Sequence, residues 1–378
     1  MAYGDVTIQG PKGTYASDQD GGDSARNTVD EATSALEGVF CYHRRCRVGQ
    51  VRRPGVSQCD AQGWGDMATL NVFQWLRYGP WLAQVVVTRR CNLKCGYCTE
   101  YDRTSDPVPY EELALRLAKL AELRAWAVCL TGGEPTMHPR LPDLVDEARR
   151  LGFKRRMLIT NGWRLTPALI EALNGAGLTD MQISVDGVNP NAVTVKTLRP
   201  LRKKLELLAD KATFKVVMSG VIGSAPAEEA LEVVDFAKAH GFTPRILLIH
   251  DENGQSQLSH EELSAYDEAK RRIGDRANEA FGYRGKMIES GEAPFKCRSG
   301  SRYLYVDEFG SVHWCYQTRE SFSKDLLAYT YADLREQFDT PKDCNAHCTI
   351  GCARTASATD QWRSQSGLSD APLAATTS

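Results

Sequence analysis

The chain has 378 residues, 42% of them apolar and 25% charged, with a net charge of -2 at neutral pH. That is an ordinary globular composition, long enough for one large domain and a smaller one, with no charge excess to hold a nucleic acid. No apolar run reaches the roughly 18–20 residues that a bilayer crossing needs, so no transmembrane segment is expected. The N-terminus, Met-Ala-Tyr-Gly-Asp-Val, lacks the basic and apolar parts of a secretion signal. Twelve cysteines in such a chain favour metal binding in a reducing compartment, the cytoplasm, over a disulfide framework.

Residues 1–66 are rich in Gly, Asp, Arg, Gln and Ser and show neither a twofold nor a helical period. They are expected to be disordered, or to precede a native start at Met67. The basic cluster His43, Arg44, Arg45, Arg47, Arg52 and Arg53 reads as solvated, and Cys41, Cys46 and Cys59 are not taken as ligands. Over 67–82, Phe73, Trp75, Leu76 and Tyr78 predict a short aromatic helix, ended by Gly79-Pro80, whose aromatics together with Trp81 cover the barrel that follows.

From there apolar runs alternate with helical patterns. The predicted strands are Gln84–Thr88, Ala127–Leu130, Arg156–Thr160, Asp180–Val185, Thr213–Ile222 and Arg245–Ile249; helices are predicted near 110–124, 141–151, 167–175, 193–209, 226–240 and 260–273. Thr166 with Pro167, and Ser259 before Glu261 and Glu262, carry the chemistry of helix starts. Six strand–helix units imply an α/β fold with a parallel sheet. Six are too few to close an eightfold barrel, so a partial (β/α)6 barrel is expected over 83–280, its ligands at the carboxyl ends of the strands. Past about 280 the alternation stops. Tyr303–Asp307, a Glu308-Phe309-Gly310 turn and Ser311–Cys315 predict a β-hairpin in a smaller region, 281–360, before a loose tail at 361–378.

Chemistry concentrates after the strands. Cys91, Cys95 and Cys98 stand in Cys-Asn-Leu-Lys-Cys-Gly-Tyr-Cys, directly after the first strand. A cubane has four irons, so three close thiolates leave one iron open, unlike the closed four-thiolate sites of ferredoxins. Thr131-Gly132-Gly133-Glu134, Thr160-Asn161-Gly162 and Ser184-Val185-Asp186-Gly187 follow successive strands. Each alone is an ordinary turn or cap; four on one rim mark a site. Cys129, inside an apolar strand, reads as a buried core thiol.

Cys91-x3-Cys95-x2-Cys98, followed in order by Gly132-Gly133-Glu134-Pro135, Thr160-Asn161-Gly162 and Ser184-x-Asp186, resembles the signature of the radical S-adenosylmethionine (radical SAM) enzymes. The resemblance covers roughly 82–250 and, more loosely, 297–352. It implies a [4Fe–4S] cluster on the three thiolates, with the open iron chelated by the methionyl end of S-adenosylmethionine. Reductive cleavage then yields a 5′-deoxyadenosyl radical that abstracts hydrogen from a substrate. Carried over by motif, Glu134 faces the methionyl amine and the Gly132-Gly133 backbone approaches it closely. Asn161, Ser184 and Asp186 hold the ribose or carboxylate, and Tyr97 contacts adenine.

Cys297-x17-Cys315 resembles the auxiliary-cluster hairpin of the SPASM/Twitch branch, with Cys344, Cys348 and Cys352 as further ligands. These five exceed the four thiolates that one [4Fe–4S] cluster needs; were 344–352 helical, the last three would share a face. Structural zinc is the competing reading. Tyr303, Tyr305, His313 and Tyr316 lie near these cysteines as candidate substrate contacts.

The branch implies an oxidation or a C–C or C–X bond-forming modification of a small molecule or peptide, with a reducing partner such as flavodoxin or ferredoxin. Asp186-Gly-Val-Asn-Pro-Asn-Ala-Val-Thr-Val-Lys196 also resembles a stretch of radical SAM enzymes that act on hopanoid lipids. Lys196, Arg199, Arg202, Lys203 and Lys204 read first as an exposed helix face. The alternatives to catalysis are a zinc or iron–sulfur redox-sensing module, and a phosphate-binding Rossmann-like protein, which lacks the GxGxxG fingerprint.

Overall fold

A computed structural model of the chain describes residues 72–98, 101–249, 258–274, 295–342, 344, 348 and 350–357. The expectations for 1–66, including Cys41, Cys46 and Cys59, and for the tail 361–378 lie outside the described residues.

The barrel core runs β1 (Leu82–Thr88), α2 (Tyr110–Glu122), β2 (Ala127–Gly132), α3 (Leu141–Arg150), β3 (Arg155–Thr160), α4 (Pro167–Ala176), β4 (Asp180–Ser184), α5 (Leu198–Lys211), β5 (Lys215–Ile222), α6 (Ala227–Ala239), β6 (Thr243–Leu248) and α7 (His260–Ile273), preceded by α1 (Val72–Tyr78). After it come β7 (Tyr303–Val306), β8 (Ser311–His313), β9 (Lys324–Asp325), α8 (Tyr331–Asp339) and α9 (Gly351–Ser357). The strands form one sheet in the order β6-β5-β4-β3-β2-β1-β7-β8-β9. Pairing is parallel from β6 to β7 and antiparallel beyond it. This is the unclosed α/β barrel that the strand–helix alternation predicts.

Burial explains the pattern. β1 is mainly apolar, with Gln84 and Thr88 as its polar members, and is buried on both faces, as a central parallel strand must be. On α5, Leu198, Leu201, Leu205 and Leu208 fall on one buried stripe, each worth about 1.5–3 kcal/mol of burial. The helix starts are capped as expected: Thr166 accepts from Leu169 N ahead of Pro167, and Ser259 and Glu262 form a reciprocal capping box.

One helix start departs well from the sequence expectation. α5 begins at Leu198, not near 193, because Asn191 and Thr194 spend their side chains on a loop: Asn191 Oδ1 accepts from Val193 N and Thr194 N. The predicted hairpin is present as β7–β8 and extends the sheet of the barrel. β7 adds to the edge of β1, pairing Leu82 with Tyr303 and Val85 with Val306.

α1 packs at the amino ends of β1 and β7, the end opposite the cysteine triplet. Arg302 donates to the carbonyls of Leu76 and Arg77, and Ser301 to that of Tyr78. Tyr78 meets Tyr331 and Phe338 of α8 edge-on. Among the described residues, no helix is long and apolar enough to cross a membrane.

Candidate active site

The carboxyl ends of β1 to β4 surround a cavity of about 150 Å³, lined by Cys91, Cys95, Cys98, Tyr101, Thr131, Gly132, Gly133, Glu134, Thr160, Asn161, Ser184 and Lys196, among others. All three triplet cysteines therefore open into one space with the Gly-Gly-Glu, Asn161 and Ser184. Tyr97 and Asp186 stand outside that lining.

Glycine is required at 132 and 133 by the chain itself. A Cβ on Gly132, whose φ is +150°, would meet Thr88 O at 2.1 Å; one on Gly133 would meet Arg89 O at 2.2 Å. Gly133 N donates to Thr88 O and Glu134 N to Arg90 O. The turn after β2 is thus laid flush on the entry to the cysteine loop, a closeness only glycine permits. This is a requirement of the chain's own, beside the close approach of a ligand that the motif implies.

Glu134 is 1% exposed. Its Oε1 accepts from Thr136 N at 3.0 Å, from the Thr136 hydroxyl, and from the Thr160 hydroxyl at 2.7 Å; its Oε2 accepts from Asn161 N at 2.8 Å. Burial pushes the carboxyl up from its ordinary range, and these donors oppose the rise. Oε2 has a single donor, which leaves it lone-pair capacity toward the cavity. Asn161 is committed on both sides: Nδ2 donates to Asn92 Oδ1 at 2.9 Å and lies 3.8 Å from Cys91 Sγ, while Oδ1 accepts from Trp163 N. Leu93 N also points at Cys91 Sγ, at 3.4 Å. Two N–H groups aimed at one sulfur suit a metal-bound thiolate, whose charge they stabilise.

Asp186 is fully buried. Its Oδ2 accepts from the Tyr97 hydroxyl at 2.7 Å and the Thr194 hydroxyl at 2.6 Å, and Lys196 Nζ lies 3.3 Å away. Lys196 Nζ in turn donates to the Tyr97 oxygen. Burial pulls the Lys196 ammonium down, but Asp186 and Tyr97 together hold it above its ordinary value. The sequence reading placed Lys196 on an exposed helix face; it is instead a half-buried, charged loop residue on the cavity wall. Pro200 was the available signal, since proline sits in a helix's first turn and sets the start of α5 after residue 196.

The second cysteine set gathers on the lumen side of the sheet. Cys297 and Cys315 are buried in an apolar cluster with Val86, Phe295, Tyr303 and Tyr305, and Cys348 and Cys352 pack against it. Burial first, then Cys297, Cys315 and Cys344, push the Cys348 thiol up; Cys352 makes itself felt at Cys129 and Tyr303. Only Cys352 lies on α9, so the three late cysteines do not share a helix face. Cys129 is buried, as expected for a core thiol. Among the described residues no three Cys, His, Asp or Glu side chains converge as a finished metal site. For the triplet, the fit rests on three cysteines lining one cavity and on the donors aimed at Cys91.

Tyr303, Tyr305 and His313 are engaged within the protein. Tyr303 donates to Gln84 Oε1, Arg319 donates to the Tyr305 hydroxyl, and His313 bridges Asp307 Oδ2 to the carbonyls of Arg319 and Phe322. They hold the hairpin rather than face the cavity.

Residues 85–259 match the Radical SAM superfamily model. The chain carries a radical SAM domain. The family uses a [4Fe–4S] cluster and S-adenosylmethionine, and the matched segment contains the triplet and the three other strand-end motifs. Over 126 residues the chain is 38% identical to the PqqA peptide cyclase of Bradyrhizobium diazoefficiens, covering 32% of this chain and 33% of that one. Over 120 residues it is 33% identical to the GTP 3′,8-cyclase of Petrotoga mobilis, covering 30% and 36%. The chain thus spans about a third of the length of these relatives. In fold it is similar to Streptococcus suis SuiB bound to precursor peptide SuiA, with a TM-score of 0.55, 13% identity, and coverage of 91% of this chain and 87% of that one.

Proposed function

We propose that the chain is a radical SAM enzyme in which Cys91, Cys95 and Cys98 hold the [4Fe–4S] cluster. With S-adenosylmethionine bound, that cluster supplies reductive cleavage of the sulfonium and hydrogen abstraction from a substrate. The single observation that carries the reading is the shared cavity, lined by the three cysteines, the Gly-Gly-Glu turn, Ser184 and Lys196.

The residues divide the binding task. Glu134 Oε2 offers lone-pair capacity to the methionyl amine, with the Gly132-Gly133 backbone beside it. Lys196 offers the cation for a carboxylate. Ser184 is placed for a ribose or carboxylate oxygen. Asn161 fixes the cysteine loop through Asn92 and donates toward Cys91 Sγ, so it acts on the cluster more than on the nucleotide.

Cys297, Cys315 and Cys348, with Cys344 or Cys352, are proposed to hold an auxiliary [4Fe–4S] cluster in a SPASM/Twitch-like region; the apolar setting shared by Cys297, Cys315, Cys348 and Cys352 supports this, while Cys344 is exposed. A peptide is the proposed substrate class, supported by the sequence similarity to a peptide cyclase and the fold similarity to a peptide-bound enzyme. A flavodoxin or ferredoxin is the proposed reductant.

The test is anaerobic incubation of the reconstituted protein with S-adenosylmethionine and dithionite. Formation of 5′-deoxyadenosine is expected, and Cys91→Ala, Cys95→Ala and Cys98→Ala should each abolish it. A wild-type protein that takes up iron but makes none would overturn the proposal in favour of a non-catalytic redox module.

A further inference from the structure

Lys196 reaches the cavity, but its neighbours Tyr97 and Asp186 do not line it. The loop between β4 and α5 is built around that arrangement. Asp186 N donates to Lys196 O at 2.7 Å, Lys196 N donates to the Thr194 hydroxyl at 3.1 Å, and Gly96 N of the cysteine loop donates to Val193 O at 2.9 Å. The chain therefore returns to the cysteine loop at the position where the ammonium must stand.

The carboxylate is loaded on one side. Oδ2 takes the Tyr97 and Thr194 hydroxyls and faces Lys196, whereas the fully buried Oδ1 has no donor among the described residues. Leaving a buried acceptor without a donor is costly, so this is a conformation the surroundings impose. Lys196 Nζ lies 3.3 Å from Oδ2, on the loaded side of the carboxylate. The Tyr97 hydroxyl engages both partners: it donates to Oδ2 and offers its own oxygen to the ammonium, while Nζ lies 4.9 Å from the centre of the ring. An ammonium has three N–H groups. With one on Tyr97 and one turned to Asp186, the third is left for the cavity.

We propose that Tyr97 and Asp186 are positioning residues that hold the Lys196 ammonium at the cavity wall, and that they act on the carboxylate of bound S-adenosylmethionine only through that ammonium. This rests on the function proposed above. It also assigns Tyr97 and Asp186 a task other than direct contact with adenine, ribose or carboxylate.

The experiment is a binding cycle on the anaerobically reconstituted full chain, read by the change in the cluster's electron paramagnetic resonance signal as S-adenosylmethionine is added. Tyr97→Phe is expected to weaken binding about tenfold, within the range of coupling between contacting residues, and Lys196→Met to weaken it further. Adding Tyr97→Phe to Lys196→Met should then change nothing, and Lys196→Arg should retain most of the affinity. Decarboxylated S-adenosylmethionine should bind wild type and Tyr97→Phe alike. An unchanged affinity in Tyr97→Phe, or the same loss in both backgrounds, overturns the proposal. If Tyr97→Phe loses its iron, Asp186→Asn carries the same cycle with the same two outcomes. A wild-type signal indifferent to S-adenosylmethionine would instead sink the functional reading beneath it.

Discussion

The side-chain amide of Asn161 donates to Asn92 Oδ1 at 2.9 Å, tying the turn after β3 to the loop of the cysteine triplet. The same amide nitrogen lies 3.8 Å from Cys91 Sγ. Replacing it with a carboxylate reverses both relations: an acceptor would face Asn92 Oδ1, and a negative charge would stand beside a thiolate. Asn161→Asp should therefore hold less iron after reconstitution, at less than half the wild-type content, with an unchanged far-ultraviolet circular dichroism spectrum. Equal iron in the two proteins would show that the bridge does not support the cluster site.

Gly133 and Gly175 make a matched pair. At Gly133 a methyl group would stand 2.2 Å from Arg89 O and 2.7 Å from Arg90 O, backbone atoms that cannot swing aside. At Gly175, near the end of α4, it would meet nothing within 4 Å. Gly133→Ala should destabilise the apo-protein by about 1–3 kcal/mol, as overpacking does. Gly175→Ala should stabilise it by roughly 0.5–1 kcal/mol through helix propensity and lost unfolded-state entropy. Urea unfolding of both variants checks the opposite signs.

Much of this was legible in the sequence, for physical reasons that differ from one segment to the next. Leu201, Leu205 and Leu208 announce α5 because a helix repeats every 3.6 residues, yet the same leucines cannot say where it begins. That depended on Asn191 and Thr194 folding their side chains onto nearby N–H groups, and it moved Lys196 from a solvated face to the cavity wall. The triplet and Glu134 were readable because their chemistry is local. The pairing of Leu82 with Tyr303 was not, since it joins strands more than two hundred residues apart with no turn to set the register. The role of Gly133 likewise depends on Arg89 O, a contact between two strand ends that no period encodes.

Asp180 supplies an acid-sensitive contact at the start of β4. Arg155 donates to it with both Nε, at 3.0 Å, and Nη2, and the Thr179 hydroxyl adds a bond of 2.7 Å. Burial opposes the charge, but the Arg155 fork and Thr179 outweigh it and hold the carboxyl below its ordinary range. A depressed carboxyl stabilises the fold above its unfolded pKa of about 3.9 and loses that contribution as pH falls through the folded value. Asp180→Asn should thus be less stable than wild type at pH 7, and the gap should narrow steadily below about pH 5. Thermal melts of the two proteins between pH 7 and 3.5 decide it; a gap that stays constant or widens with acid would contradict the assignment.

Arg302 closes the other end of the barrel. It is 2% exposed, and its guanidinium donates at 2.8 Å to the carbonyl of Arg77 and at 2.9 Å to that of Leu76. It also lies 5.5 Å from the ring centre of Phe338. The last carbonyls of α1 have no intrahelical donor, and a cation there both bonds them and complements the helix dipole. Methionine at this position would keep much of the apolar stem but leave those carbonyls short of a buried donor, at about 1–3 kcal/mol. Arg302→Met should therefore raise amide hydrogen exchange in 72–78 while leaving the amides of β2 and β3 as protected as in wild type. That contrast separates a local fastening from a global one, because loss of the whole fold would expose all of these amides together. The cysteine cavity lies at the far end of β1, so iron uptake by the variant should match the wild type.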